Sequence, residues 1–127
     1  MAVVLCSIVL TVASFTPAGS VEKQKNIMVK NIFRDYQSYK EKSLIDRYYS
    51  HKDIVRLVDS LKTNSLFEVT KAGKSAQGRD IFLVKTGTGK KKIFMWAQMH
   101  GDEPTANAAL FDLFNFLKNP GYYKEFR

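Results

Sequence analysis

Ile93-Phe94-Met95-Trp96-Ala97 is apolar on both faces of any strand it forms, and this feature constrains the chain's fold most. Such a strand belongs in the interior of a sheet, with helices covering both sides. The segment that follows makes the demand greater. From Ala106 to Leu117 the sequence predicts a helix that is apolar over most of its circumference. Ala108, Ala109, Leu110, Phe111, Leu113, Phe114, Phe116 and Leu117 are interrupted only by Asn107, Asp112 and Asn115. Pro104 suits the first position of that helix, and Asn119-Pro120-Gly121 ends it.

The preceding residues supply only part of the cover. Ser50 followed by Asp53 resembles a capping box, with Asp in place of the usual Glu or Gln. Ile54, Leu57, Val58 and Leu61 then recur at helical spacing, which predicts a helix over about 51–62. Phe67-Glu68-Val69-Thr70-Lys71 alternates apolar and polar, as a half-buried strand does. Gly73 to Arg79 reads as a turn. Ile81-Phe82-Leu83-Val84 reads as a second strand, closed by Gly87-Thr88-Gly89. Val21 to Tyr49 is polar, carries aromatics at Phe33, Tyr36, Tyr39, Tyr48 and Tyr49, and reads as partly helical.

These elements cannot cover both faces of a sheet and the outside of the last helix. Left bare, that surface is an aggregation liability. The expected fold class is therefore α/β, a β-sheet flanked by helices, and incomplete. More chain or a tight partner is expected to pack on it. The length of 127 residues suits one compact domain or part of a larger one. At 45% hydrophobic and 25% charged residues, the composition is globular rather than disordered.

Residues 1–20 differ from the rest and read as a signal peptide. Ala2 to Phe15 has no charge, and Thr16-Pro17-Ala18-Gly19-Ser20 then leads into a polar stretch from Glu22. The run is shorter than the ~20 residues that cross a bilayer and fits a secretory core cleaved after Ala13 or Ala18. It lacks a preceding Lys or Arg; a buried terminal strand or a misassigned start codon is the alternative. Export to the periplasm or extracellular space follows as an expectation, with no transmembrane helix in the mature form. Residues 21–49 then form a polar N-terminal segment, and 50–127 the main domain. Cys6 is the only cysteine, so a processed chain has neither a disulfide framework nor a cysteine zinc site.

The net charge of +8 favours anionic surfaces or acidic substrates. The charges are scattered, and Lys90-Lys91-Lys92 is most simply a solvated strand end, so no specific nucleic-acid partner is implied. Gly87-x-Gly89-Lys90 is not a phosphate loop. Val84 stands at the first glycine position, Lys91 at the Ser/Thr position, and a strand rather than a helix follows.

The chemistry concentrates in His100-Gly101-Asp102-Glu103, at the carboxyl end of a strand and just before a helix. Ligands of open α/β sheets bind beyond the carboxyl ends of strands. An imidazole and a carboxylate three residues apart across a turn can converge on one ion, and both are good zinc ligands at ~2.0–2.2 Å. The same acidic residues also fit a bare helix N-terminus, where they complement the dipole. Spacing alone leaves both readings open.

From about Tyr48 to Leu117 the chain resembles the zinc carboxypeptidase family, the carboxypeptidase A-like metallopeptidases. The match includes Gly73-Lys74-Ser75, Gly78-Arg79, the apolar strand, and His100-Gly101-Asp102-Glu103-Pro104-Thr105-Ala106. The resemblance implies a mixed β-sheet flanked by helices, and that His100 and Glu103 are two of three ligands to Zn²⁺, with a peptide as substrate. It also implies a third histidine ligand, a glutamate general base and carboxylate-binding arginines, none of which has a counterpart here. His51 is the only other histidine, lies in no matching motif and reads as solvent-facing. No catalytic residue is therefore assigned within the chain, and its substrate-binding residues are left unassigned. Arg79 is marked by the family match, although a structural hydrogen-bonding role is as good an account. The expected activity is hydrolysis of C-terminal peptide bonds by a longer parent enzyme, with this chain inactive alone. Two alternatives are a related zinc deacylase acting on N-acyl amino acids and a non-catalytic, basic, secreted binding module.

Overall fold

In the computed structural model the described residues are 18–44 and 48–123. Of the expected signal peptide at 1–20, residues 1–17 lie outside them. Helix α1, Ala18–Arg34, falls in one compact unit, Met1–Asp35, and the remaining elements in a second, Tyr36–Arg127. α1 is largely solvated, with Val29 and Phe33 exposed, and the Arg34 guanidinium pairs with the neighbouring Asp35 carboxylate at 2.8 Å.

The second unit runs α2 (Tyr36–Tyr39), a 3-10 turn (Lys42–Leu44), α3 (His51–Lys62), β1 (Phe67–Lys74), β2 (Asp80–Thr86), α4 (Thr105–Lys118) and α5 (Pro120–Tyr123). β1 and β2 pair antiparallel, with Phe67 opposite Thr86 and Val69 opposite Val84. A register shift interrupts the regular pairing between Lys71 and Gly73. Gly78, at φ 74°, takes the left-handed turn conformation between the strands, which glycine adopts without the steric cost of a Cβ.

α3 forms where local signals agree. Ser50 accepts from the Asp53 backbone N–H, and the Asp53 side chain accepts in return from the Ser50 backbone N–H, closing a capping box. Leu61 and Val58 on its inner face are buried. The bonds from Ser50, side chain then backbone, and from the Arg56 guanidinium hold the Asp53 carboxyl down at about 2. A carboxyl lowered by folding stabilises the fold above its ordinary value of ~3.9 and loses that contribution as pH falls through its folded value. An acid titration followed by circular dichroism is therefore expected to show stability declining from about pH 4 towards pH 2. Asp53→Asn is expected to flatten that part of the curve; an unchanged curve would remove the cap from the account.

The core gathers Leu44, Val58, Leu61, Phe67 and Phe111, with Val69, Phe82, Val84, Phe114 and Leu117 packed around them. Aromatic edges interlock there: Phe67 meets Phe114 at 5.5 Å and Phe111 meets Phe114 at 5.7 Å, both T-shaped. Tyr39 of α2 meets Phe116 of α4 in the same manner at 5.3 Å. A polar latch reinforces this contact. Asp112 on α4 accepts from the Tyr36 hydroxyl at 2.7 Å and the Glu41 backbone N–H at 2.6 Å. Glu41 in turn accepts from Asn115 at 3.0 Å. Burial pushes the Glu41 carboxyl up, but the bonds from Ser43 and Asn115 outweigh it and hold the group below its ordinary value. The Asp112 bond, followed by burial, raises the Tyr36 phenol, so it remains a donor.

The α/β class therefore holds, with an incomplete sheet: the described residues form one two-stranded antiparallel pair. The third strand expected at Ile93–Ala97 is not formed; the segment carries no regular structure. Ile93 is 82% exposed and Phe94 73% exposed, and Met95, Trp96 and Met99 are also open to solvent. A sequence apolar on both faces becomes a strand only when neighbouring strands and covering helices accept it, and among the described residues no strand pairs with it. Asn119-Pro120-Gly121 ends α4 as expected, with Asn119 as its C-cap, and the short helix α5 then begins at Pro120.

Candidate metal centre

The unpaired segment 93–97 leads into a turn that ends on α4. Pro104, with φ −74° and ψ −17°, is the N-cap of α4 rather than its first residue, and it offers no side-chain cap. Within the turn, the Glu103 backbone N–H bonds the His100 carbonyl at 3.2 Å. That closure brings the side chains together: His100 Nδ1 stands 3.1 Å from Glu103 Oε2. Both are well exposed, at 63% and 67%, so solvent and ions reach them.

The turn is tied to its surroundings at several points. Gln98 has φ 61°, the only described non-glycine residue with positive φ. That left-handed conformation costs an L-residue roughly 1–2 kcal/mol. Its side-chain amide donates to the Gly101 carbonyl at 2.6 Å and accepts from the Asn107 amide of α4. The Tyr49 hydroxyl donates to the Pro104 carbonyl. Burial raises the Tyr49 phenol, partly offset by bonding with Ala108 and Asn107, so it stays a donor. Beside the pair lies an open depression of about 330 Å³, lined by Tyr48, Asp102, Glu103, Pro104 and Thr105.

The donor set fits part of a zinc site. Two ligands at ~2.0–2.2 Å from one tetrahedral ion stand roughly 3.3–3.6 Å apart. The observed 3.1 Å is therefore a few tenths of an ångström short of the span needed, and exposed side chains can open that far. The same separation also suits a simple ion pair. A catalytic zinc needs three protein ligands and an open position. Among the described residues no group of three His, Cys, Asp or Glu side chains is arranged to hold a metal. Asp102 is exposed in the same turn and is not grouped with them. His51 opens α3 as an exposed residue, away from this turn in sequence and element.

Arg79 works through its backbone. Its carbonyl accepts from the Ser75 N–H at 2.8 Å and its N–H donates to the Ser75 hydroxyl at 3.2 Å, which clamps the β1–β2 turn. Lys90, Lys91 and Lys92 are exposed. Sequence reasoning missed the Gln98–Asn107 and Tyr49–Pro104 ties. No local pattern announces a bond across nine or fifty-five residues. Among the described residues, no helix is long and apolar enough to cross a membrane.

No curated protein and no solved structure matches the chain. A sequence model of the zinc carboxypeptidase family matches residues 42–122, which is more than half of the chain. The stretch contains α3, the β1–β2 hairpin, the His100–Glu103 turn and α4. By that match the chain belongs to the zinc carboxypeptidase family.

Proposed function

We propose that this chain is the N-terminal portion of a secreted zinc-dependent carboxypeptidase, in which His100 and Glu103 hold the metal. The observation that carries the reading is the solvent-open imidazole–carboxylate pair, 3.1 Å apart, at the start of α4 within the family match. Zinc held there would supply Lewis acidity toward the carbonyl of a C-terminal peptide bond. The chain's own contribution is to present Nδ1 and Oε2 on one side of a tied turn, beside an open depression that admits substrate. The third ligand, the general base and the carboxylate-binding groups come from residues outside this chain, so the chain alone is inactive.

The bare segment supports the same division of labour. Ile93, Phe94, Trp96 and Met99 are all more than half exposed, and the remainder of the catalytic domain would pack over them. The uncharged run from Ala2 to Phe15 motivates secretion.

A longer product including the downstream codons tests the proposal. It is expected to release the C-terminal residue from a blocked dipeptide, to lose that activity with a zinc chelator, and to lose it in His100→Ala. Chelator-resistant hydrolysis, or full activity in His100→Ala, would refute the proposal.

A further inference from the structure

We infer that Gln98 and Asn107 are positioning residues: together they set the bite of His100 and Glu103 for a divalent cation. The inference rests on the zinc reading above and goes beyond it to residues that never touch the ion.

Neither proposed ligand is fixed by packing, since both side chains are about two-thirds exposed. What holds them at 3.1 Å is the shape of the turn beneath them. That shape has an unusual foundation, because Gln98 occupies the left-handed region at φ 61°. A non-glycine residue stays there only when its surroundings over-determine it. The surroundings here are three hydrogen bonds made by its own side-chain amide. Nε2 donates to the Gly101 carbonyl at 2.6 Å and to the His100 carbonyl at 3.5 Å, and Oε1 accepts from Asn107.

Asn107 makes this grip rigid rather than merely local. It sits in the first turn of α4, where its own N–H bonds the Pro104 carbonyl at 3.1 Å. A side chain anchored in a helix therefore fixes the residue that folds the metal turn, and the turn becomes an extension of α4. The Tyr49 hydroxyl donates to the same Pro104 carbonyl. Two donors kept near their bound separation lose little freedom when an ion arrives, which is the gain from preorganisation. Partners behind the ligands of a metal site change affinity by ~10–100-fold when removed.

Two substitutions separate the grip from general stability. Asn107→Leu keeps the side chain's approximate volume and a good helix former while deleting the donor. Gln98→Gly keeps the left-handed backbone accessible while deleting all three of its side-chain hydrogen bonds. Zinc affinity of the 127-residue chain is measured by competition with a chromophoric chelator, alongside thermal unfolding. Each variant is expected to bind Zn²⁺ at least ~10-fold more weakly with little change in unfolding midpoint. The double variant is expected to be no weaker than the weaker single, because both delete one shared contact. Wild-type zinc affinity in both variants, with affinity lost in His100→Ala, overturns the positioning role and leaves the metal reading standing. Wild-type affinity in His100→Ala removes the metal reading and this inference together.

Discussion

Phe111→Ala is expected to lower the unfolding free energy of the chain by ~3–5 kcal/mol, read from urea denaturation followed by circular dichroism. Phe111 is 6% exposed and lies in the one cluster that also contains Leu44, Val58, Leu61 and Phe67. It joins α4 to the layer formed by α3 and β1, and its ring stands edge-on to Phe114. Truncation removes the transfer free energy of the ring and leaves a cavity that a hairpin and two helices cannot close. Domains of this size hold only ~5–15 kcal/mol in total, so the variant is expected to be partly unfolded at physiological temperature. A loss below ~0.5 kcal/mol, the level of an ordinary surface change, would place the core elsewhere.

The second large effect concerns the metal. Both His100→Ala and Glu103→Gln are expected to reduce zinc affinity of the chain by ~100-fold or more, at the top of or beyond the range seen for supporting residues alone. A two-donor site starts weak, because catalytic zinc sites usually draw three ligands from protein. Loss of either donor leaves a single exposed group, no better than any other surface imidazole or carboxylate. His51→Ala serves as the comparison: exposed at the start of α3 and outside the turn, it is expected to leave affinity unchanged. Equal losses in all three variants would mean that zinc binds the surface without a site.

What could be read from the sequence was what short-range chemistry decides. α3 was legible to its ends because a helical apolar period and a capping box both act within a few residues. The alternation of Phe67 to Lys71 and the apolar run from Ile81 found the hairpin, whose turn glycine the structure places at positive φ. α4 was legible from its apolar periodicity, although Pro104 caps it rather than beginning it. Ile93–Ala97 was misread as a formed strand because composition reports what a segment can tolerate. Pairing needs a neighbouring strand, and among the described residues none pairs with it. The His100–Glu103 pair was visible because three-residue spacing across a turn is itself a geometric statement. The contacts that shape the site were not visible. Gln98's left-handed backbone and its bond to Asn107 depend on how α4 docks. Asp112's bonds to Tyr36 and Glu41 span more than seventy residues.

Imidazole nitrogen resonances followed by NMR during zinc titration of this chain address the central idea most directly, because His51 and His100 are its only histidines. Coordination by His100 Nδ1 is expected to move that nitrogen's signal while His51 stays in place, and Glu103→Gln is expected to require far more zinc for the same movement. Parallel movement of both rings, or a His100 signal indifferent to Glu103, would contradict a shared site for one cation.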